Sequence, residues 1–314
     1  MNYRKVLPVL CAALAVLILA GVFLAKRPAG SDYPVTRVSV ILPHNDDAYW
    51  SLVRNSIEKA DQEIGGKYNI DIKIYVPQLN YNIPQMIEIL KQQVAARVDI
   101  LVIQGNEDEQ FRTVLEEARK EGIQIICVDT PLRDFPYDLY VGTDNRTAGE
   151  MIGTELALLT DGNAKVSVVS GSEGYLNLED RLAGFRDAVK DYPGIQIQEI
   201  CYDEYDGLTF MQLYHDLSED ADALVCLEGT GGQTLYHTYT ERDDTYEAII
   251  GFDSSDGVRS GVLDGVVKQD TDQMGRKVVE EIAGYIENGR YSAREIYTDI
   301  VWLTAENYDE VMKE

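Results

Sequence analysis

Short apolar runs typical of β-strands alternate with amphipathic helical stretches along almost the whole chain. One series of this kind runs from Thr36 to Leu159, and a second begins at Lys165 and ends at Leu303. The spacing between strands leaves room for a helix each time, which favours parallel pairing. Two successive β/α series of similar size therefore predict an α/β protein with two doubly wound, Rossmann-like lobes.

The pattern gives approximate bounds for each element. The predicted strands are Thr36–Leu42, Ile70–Val76, Ile100–Ile103, Ile123–Val128, Leu139–Val141, Lys165–Ser170, Ile195–Cys201, Ala223–Leu227, Ala248–Phe252, Val266–Gln269 and a last strand near Tyr297–Leu303. The predicted helices are Ala48–Ile64, Ile83–Ala96, Glu109–Glu121, Thr147–Leu159, Leu178–Tyr192, Leu208–Leu217, Gln233–Arg242, Val258–Leu263 and Met274–Glu287. Asn145 is a candidate cap for the helix that begins at Thr147.

Six of the apolar runs end in a carboxylate or an amide side chain. These strand-end residues are Gln104, Asp129, Asp144, Glu228, Asp253 and Gln269. In open α/β sheets, ligands bind in the crevice beyond the carboxyl ends of the strands. The sequence therefore predicts a ring of hydrogen-bonding groups where a polar ligand would lie.

The two series also predict how the chain divides into domains. Residues 34–143 plus 270–298 form the predicted first lobe, and residues 144–269 plus 299–314 form the second. Three crossings between the lobes are expected, near Thr143–Asp144, Gln269–Asp270 and Tyr297–Asp299. Crossings of this kind permit hinge closure around a ligand.

The 20-residue apolar run Val6–Ala25 sets the predicted compartment. It is long enough to span a bilayer, and basic residues flank it on both sides. We expect residues 1–33 to form an uncleaved membrane anchor and linker, with a cleaved signal segment as the alternative. Either form places the rest of the chain outside the cytoplasm.

The formal net charge of −26 excludes one class of partner. An acidic surface repels the phosphate backbone, so we expect no nucleic-acid binding. The four cysteines and three histidines lack the spacing of a metal site. No nucleophile pattern, phosphate loop or cofactor fingerprint accompanies the strand ends, so we expect a binding protein without cofactor or metal rather than an enzyme.

The segment from Asn45 to Trp50 links the first strand to the first helix and contains Asp46, Asp47, Tyr49 and Trp50. The aspartates are also suitable helix caps, and the aromatic residues are also suitable for the buried helix face. Adjacent aromatic residues cannot both face the core, so one should reach into the crevice. A flat ring beside carboxylates is a common arrangement for binding sugars.

At this point the chain resembles a known family, the periplasmic sugar-binding proteins of the ribose- and galactose-binding type. The resemblance covers about Val38 to Leu303, and it lies in the order and spacing of short motifs. The motifs are Val40–Trp50, Ile100–Gln104, Ile125–Asp129, Gly142–Asn145, Asp180–Phe185, Gly251–Asp253 and Gln269 with Asp272–Gly275. The resemblance implies the periplasmic binding protein fold.

By matched position, the resemblance implies a set of ligand contacts. They are Asp47, Tyr49, Trp50, Gln104, Asp129, Asn177, Arg181, Tyr205, Glu228, Asp253 and Gln269. Carboxylates of this set would accept hydrogen bonds from vicinal hydroxyls, the arginine would donate to ring or hydroxyl oxygens, and the aromatic residues would form walls. Two alternatives stay open: an ion pair of Arg181 with Asp180 or Glu179, and Asp253 as a cap for the next helix.

Three positions depart from the ribose-type pattern. Thr130 follows the aspartate where an arginine is expected, Glu228 replaces an amide, and Asp47 replaces an asparagine. The predicted site thus loses positive and gains negative charge, so some carboxylates should have raised pKa values or meet a cation. We therefore expect a sugar-like ligand other than plain ribose, with an amine-bearing sugar as a candidate.

The resemblance implies an extracytoplasmic solute-binding protein that delivers its ligand to the membrane subunits of an ABC importer. The alternative is a membrane-tethered sugar-sensing subunit that signals to a partner kinase or receptor.

Overall fold

The computed structural model describes residues 31–44, 48–217, 220–239, 241 and 245–313. The strands are β1 Thr36–Ile41, β2 Ile70–Tyr75, β3 Ile100–Ile103, β4 Gln124–Val128, β5 Leu139–Thr143, β6 Asn163–Ser170, β7 Gly194–Tyr202, β8 Ala223–Cys226, β9 Ala248–Phe252, β10 Gly265–Gln269, β11 Glu295–Thr298 and β12 Ile300–Leu303. The helices are α1 Ala48–Ala60, α2 Ile83–Ala95, α3 Glu109–Lys120, α4 Asn145–Leu159, α5 Leu176–Val189, α6 Gly207–Leu217, α7 Gly229–Thr238, α8 Ser255–Arg259, α9 Thr271–Asn288 and α10 Tyr308–Val311. A π-helical turn at Asp61–Gly65 and a short turn at Gly66–Tyr68 extend α1.

The described strands form two six-stranded sheets. The first has the order β11-β5-β4-β3-β1-β2, and all of its pairs are parallel. The second has the order β12-β10-β9-β8-β6-β7, in which β12 alone pairs antiparallel. Parallel strands place their carboxyl ends at one edge of each sheet, as the sequence pattern predicts.

Helices cover both faces of each sheet, which explains the uninterrupted apolar strands. Every residue of β3, β5, β8 and β9 is buried. On one face of the first sheet, Val40 and Val102 pack in one cluster with Trp50 of α1 and Val278 of α9. Helix α9 follows β10 of the second sheet, so the chain returns to the first lobe to complete its core.

The crossings between the sheets are built alike at two places. Asp144 follows β5 and caps α4 by accepting the Thr147 N–H over 3.1 Å. Asp270 follows β10 and caps α9 by accepting the Gln273 N–H over 2.8 Å. The prediction that Asn145 caps α4 is therefore wrong, because its neighbour Asp144 takes that position.

The predicted last strand is two strands that belong to different sheets. β11 pairs with β5 in the first sheet, and β12 pairs with β10 in the second. Asp299 lies between them, and its carbonyl accepts the Asp270 N–H over 3.1 Å. The chain therefore crosses between the sheets within the predicted range Tyr297–Asp299, and this crossing divides the predicted single strand in two.

Two helices of the second lobe also begin earlier than predicted. α7 begins at Gly229 rather than Gln233, because the Glu228 side chain caps it. α8 spans Ser255–Arg259 rather than Val258–Leu263.

Within the described ranges, no helix is long and apolar enough to cross a membrane. The predicted anchor Val6–Ala25 lies outside those ranges.

Candidate functional site

One cleft contains ten of the eleven predicted contact residues. Its lining includes Tyr49, Trp50, Gln104, Asp129, Asn177, Arg181, Tyr205, Glu228, Asp253 and Gln269. The cavity that these residues enclose has a volume of about 80 Å³. The eleventh residue, Asp47, lies outside the described residues. Residues that are 220 positions apart in sequence thus converge, because both sheets present their carboxyl edges to the same space.

Asp129 is the centre of the polar network on the first lobe. Its carboxylate accepts hydrogen bonds from the Tyr49 hydroxyl over 2.6 Å, the Gln104 amide over 3.1 Å and the Thr130 hydroxyl over 2.6 Å. The residue is buried and has a φ of 67° directly after β4. A non-glycine residue in the left-handed region is uncommon and is found preferentially at functional sites.

Aromatic residues enclose the cleft on the first lobe. Tyr49 and Trp50 pack edge to face with ring centroids 5.2 Å apart. The indole N–H of Trp50 donates to the Tyr81 hydroxyl over 3.0 Å. Burial and the Asp129 carboxylate raise the pKa of Tyr49 well above its usual value, so its hydroxyl remains a donor. Both members of the adjacent pair therefore line the cleft, as the resemblance implies, whereas the helix pattern by itself required only one of them to reach it.

Two tyrosines meet across the cleft. The rings of Tyr81 and Tyr205 are stacked, with centroids 4.9 Å apart and planes 7° from parallel. Tyr81 precedes α2 of the first lobe, and Tyr205 follows β7 of the second. Tyr175 packs edge-on against Tyr205, and its hydroxyl accepts a hydrogen bond from Asn106 over 3.3 Å. These contacts join the two lobes along one side of the cleft.

Arg181 is the cation of the second lobe's lining. It is buried, with its guanidinium 3.6 Å from the centroid of the Phe252 ring. Nε donates to Asn145 Oδ1 and Nη1 to the Leu227 carbonyl, each over 2.8 Å. Within the described part of the chain, it has no carboxylate at ion-pair distance, so the alternative of a pair with Asp180 or Glu179 is wrong. A guanidinium has five N–H donors, which leaves others for a ligand.

Glu228 lines the cleft and caps α7. Its carboxylate accepts the backbone N–H groups of Thr230 and Gly231. The Asp203 carboxyl lies beside it, and burial together with the Glu228 charge raises the pKa of Asp203 to about 9. A raised carboxyl pKa was expected from the acidity of the site, but Asp203 was not among the predicted contacts.

Asp253 occupies the position in the second lobe that Asp129 occupies in the first. It directly follows β9 with a φ of 54°, and its N–H donates to Val267 as that of Asp129 donates to Val141. The carboxylate accepts the Gln269 backbone N–H over 2.8 Å and the Gln269 side-chain amide over 2.6 Å. Burial raises its pKa to about 6. The residue at the N-cap of α8 is Ser254, so the alternative of Asp253 as that cap is wrong.

Several lining residues were not predicted. They are Tyr81, Leu178, Gly229, Thr230, Gln233 and Phe252. Tyr81 lies in a loop with a φ of 53°, and no strand end or motif marks it in the sequence. Gly229 and Thr230 could have been predicted from the sequence, because they follow the strand that ends in Glu228.

The lining offers hydrogen bonds and flat apolar surfaces. In the described ranges, no group of three His, Cys, Asp or Glu side chains is placed to hold a metal ion. The arrangement can hold a polar, hydroxylated molecule between two lobes.

A family model described as a periplasmic binding protein domain matches residues 38–290. The chain belongs to this family. The match confirms the predicted resemblance, and with it the two-lobed α/β fold.

Two curated relatives show the sequence likeness. A D-ribose/D-allose-binding protein of Pseudomonas aeruginosa is 25% identical over 205 residues, which cover 61% of this chain and 63% of that protein. A D-xylose-binding periplasmic protein of Escherichia coli is 26% identical over 102 residues, which cover 32% of this chain and 29% of that protein. The match therefore spans less than two thirds of each relative.

Solved structures resemble this periplasmic binding protein over most of its length. A glucose-galactose binding protein of Geobacillus stearothermophilus has a TM-score of 0.77 and 26% identity, covering 87% of this chain and 99% of that one. A solute-binding protein of Burkholderia graminis in complex with D-arabinose has a TM-score of 0.78 and 20% identity, covering 89% of this chain and 98% of that one.

One departure from the ribose-type pattern now has a structural explanation in this periplasmic binding protein. Thr130, in place of an arginine, donates its hydroxyl hydrogen bond to Asp129. The Asp129 side chain thus has three neutral donors in place of a neighbouring arginine.

Proposed function

We propose that this periplasmic binding protein closes two lobes around a sugar or a sugar-like polyhydroxylated ligand. The observation that carries the proposal is the convergence of ten predicted contact residues, from both lobes, on one cleft. The relatives support it, because their names record binding of ribose, allose, xylose, glucose and galactose. Side-chain carboxylates and amides beside aromatic rings match the hydroxyl groups and apolar faces of a pyranose or furanose.

The proposed contacts have distinct roles. Asp129 and Asp253 accept hydrogen bonds from vicinal hydroxyls, and ionised acceptors form stronger bonds than neutral ones. Arg181 donates to ring or hydroxyl oxygens, while Trp50 and Tyr205 form walls. The other proposed contacts are Asp47, Tyr49, Gln104, Asn177, Glu228 and Gln269.

The proposed lobes are residues 34–143 plus 270–298 and residues 144–269 plus 299–314. Closure about the three crossings would bring the two sets of contacts onto the ligand. The hydrogen bond from Asn106 to Tyr175 and the ion pair of Arg133 with Glu179 support this motion, because they join loops of the first lobe to the start of α5 in the second.

The charges around the cleft keep an amine-bearing sugar among the candidates. Asp129, Glu228 and Asp253 line the cleft with the single guanidinium of Arg181, within the described residues. An ammonium group would offset part of this negative charge. With a neutral sugar, the negative charge would be stabilised only by the hydrogen-bond donors that each carboxylate already has within the protein.

A ligand screen tests the proposal directly. Thermal shift with D-ribose, D-xylose, D-arabinose, D-galactose, myo-inositol and D-glucosamine should identify at least one stabilising ligand, and calorimetry should then give its affinity. Arg181→Lys should weaken that binding at least about tenfold, because the fork of donors is lost. The matched control Arg97→Lys, on the surface, should leave binding unchanged. Absence of binding across such a sugar and polyol panel would refute the proposal.

We propose that the protein acts outside the cytoplasm and delivers its ligand to an ABC importer. The second candidate is a membrane-tethered sensor subunit for a partner kinase or receptor. The apolar segment Val6–Ala25 favours it, since an uncleaved anchor would keep the protein beside a membrane partner. N-terminal sequencing of the mature protein, with crosslinking to membrane partners, distinguishes the two.

A further inference from the structure

Asp203 is a buried carboxyl group that the proposed contacts do not include. It directly follows β7, and its side chain is fully buried. Oδ1 accepts the Tyr205 backbone N–H over 3.1 Å. Oδ2 is enclosed by protein and has no hydrogen-bond partner among the described residues. An ionised oxygen in this situation would be costly, because burial removes its water and nothing replaces it.

The group that faces Asp203 is another carboxylate. Glu228 lies within hydrogen-bonding reach of it and already accepts two backbone N–H groups at the start of α7. Glu228 thus has two hydrogen-bond donors at the helix N-terminus, whereas Asp203 Oδ2 has none among the described residues. The two acids therefore have unequal surroundings.

The other titratable groups near the pair do not supply a positive charge. They are Tyr205, the buried thiol of Cys226, Glu204, whose carboxylate accepts the Ser172 hydroxyl, and Asp206, which accepts N–H groups at the start of α6. Within the ranges that the structure describes, no lysine or arginine lies at ion-pair distance from either carboxyl.

We propose that Asp203 and Glu228 share one proton, so that neutral Asp203 donates a hydrogen bond from Oδ2 to the Glu228 carboxylate. Two adjacent buried carboxyl groups cannot both ionise without a large repulsion, and one proton between them removes it. The same proton gives Oδ2 the partner that it otherwise lacks. A hydrogen bond to an ionised acceptor is also stronger than one between neutral groups.

This pairing makes Asp203 a positioning residue for the proposed sugar site, and to that extent it rests on the proposed function. Asp203 does not line the cleft, but Glu228 does, and Tyr205 two residues further on stacks on Tyr81 of the opposite lobe. The shared proton holds these two lining residues in one arrangement.

The pairing has a definite effect on stability against pH. Burial and the Glu228 charge raise the pKa of Asp203 to about 9, whereas an exposed aspartate ionises near 3.8. Between these values the folded state holds a proton that the unfolded state releases, so stability falls as pH rises toward about 9. Above that pH the contribution of Asp203 to stability is lost, and Asp203 no longer makes stability depend on pH.

The test compares the full chain with Asp203→Asn in thermal unfolding from pH 7 to pH 9.5. The amide can still donate to Glu228 but does not titrate. We expect the variant to have a higher Tm than the wild type at pH 8. Between pH 7 and 9 its Tm should also decrease by at least about 3 °C less than that of the wild type. Burial raises the pKa values of Cys127 and Cys226 above this range in the folded protein, so their ionisation on unfolding adds a pH dependence that both proteins share. Glu204→Gln, an exposed neighbour in the same loop, should retain the wild-type slope.

A second measurement covers the case in which Asp203→Asn does not fold. Carbon-13 NMR of aspartate-labelled wild-type protein should show a carboxyl resonance that titrates above pH 8. Its absence, a wild-type slope in Asp203→Asn, or a wild-type Tm at pH 8 that depends on added Na⁺ or Ca²⁺ would overturn the shared proton. Every measurement is made without sugar, so failure of the sugar proposal would leave these outcomes unchanged.

Discussion

Thr143 and Gln269 join the two crossings that follow β5 and β10. The Thr143 hydroxyl donates to Gln269 Oε1 over 2.6 Å, and the Gln269 amide N–H donates to Asp253 over 2.6 Å. The two residues occupy corresponding positions, each two residues after the valine that accepts a hydrogen bond from a strand-end aspartate. Gln269 therefore links the crossing to the carboxylate of the cleft.

Thr143→Val tests this link. The substitution keeps the shape of the side chain but leaves the buried Gln269 oxygen without its donor, which should cost about 1–3 kcal/mol of the free energy of unfolding. Urea denaturation of the full chain measures it. The matched control is Thr154→Val in α4, where the hydroxyl bonds only to the exposed turn that precedes it. The control should change stability by less than about 0.5 kcal/mol, and equal losses in both variants would contradict the role of Thr143.

The Tyr81–Tyr205 stack should hold the closed arrangement of the lobes. Tyr81→Ala removes an aromatic pair that is typically worth about 0.5–1.5 kcal/mol, so the open state should gain population by roughly 2- to 12-fold. Small-angle scattering of the ligand-free protein should then report a larger radius of gyration. Leu79→Ala, an exposed change in the same loop, should leave the radius unchanged. An unchanged radius in Tyr81→Ala would show that the stack does not govern closure.

Ligand binding should depend on pH through Asp253. Its pKa of about 6 lies above the usual 3.8, so the carboxyl binds a proton as pH falls through 6. If ionised Asp253 accepts the ligand hydroxyls, affinity should fall about tenfold for each pH unit well below 6, because the proton must first leave. Calorimetry at pH 7 and pH 5 with the ligand found by the screen measures this effect. A pH-independent affinity would remove Asp253 from the contacts.

The same shift has the opposite effect on folding. Because the folded pKa of Asp253 is raised, its contribution to stability is full below about pH 4 and is lost as pH rises through 6. Asp253→Asn should therefore remove part of the fall in Tm between pH 4 and 6. The exposed Asp309→Asn should retain that fall, and a similar profile for both variants would contradict the assignment.

Two glycines of the helices should respond in opposite ways to alanine. A Cβ at Gly184 would collide with the backbone carbonyl of Arg146, where α4 and α5 pack closely. A Cβ at Gly284 in α9 would meet no atom within 4 Å. Gly184→Ala should therefore destabilise the second lobe by several kcal/mol, at the upper end of single substitutions. Gly284→Ala should stabilise the protein by about 0.5–1 kcal/mol, because alanine favours the helix. Thermal unfolding of both variants provides the comparison.

The sequence by itself determined the alternation of elements, the class of fold and the residues at the strand ends. Apolar runs such as Ile100–Ile103 have no polar face, so both sides of their sheet had to be covered by helices. The carboxyl ends of parallel strands share an edge, so Gln104 with Asp129, and Glu228 with Asp253, could each be assigned to the ligand-binding edge of a sheet from position alone. That the two edges face one cleft was implied only by the family resemblance.

The tertiary structure alone decided how those side chains are paired. The roles of Tyr81 and Asp203 were not predicted, because they depend on partners that are more than 20 residues away in sequence. A crossing was expected near Asp299, but the division of the last strand between two sheets was not, since β11 and β12 are both strands and differ only in the sheet that they join. Periodicity records which face of an element is buried, whereas long-range packing determines which buried carboxyl meets which donor, and hence where a proton is held.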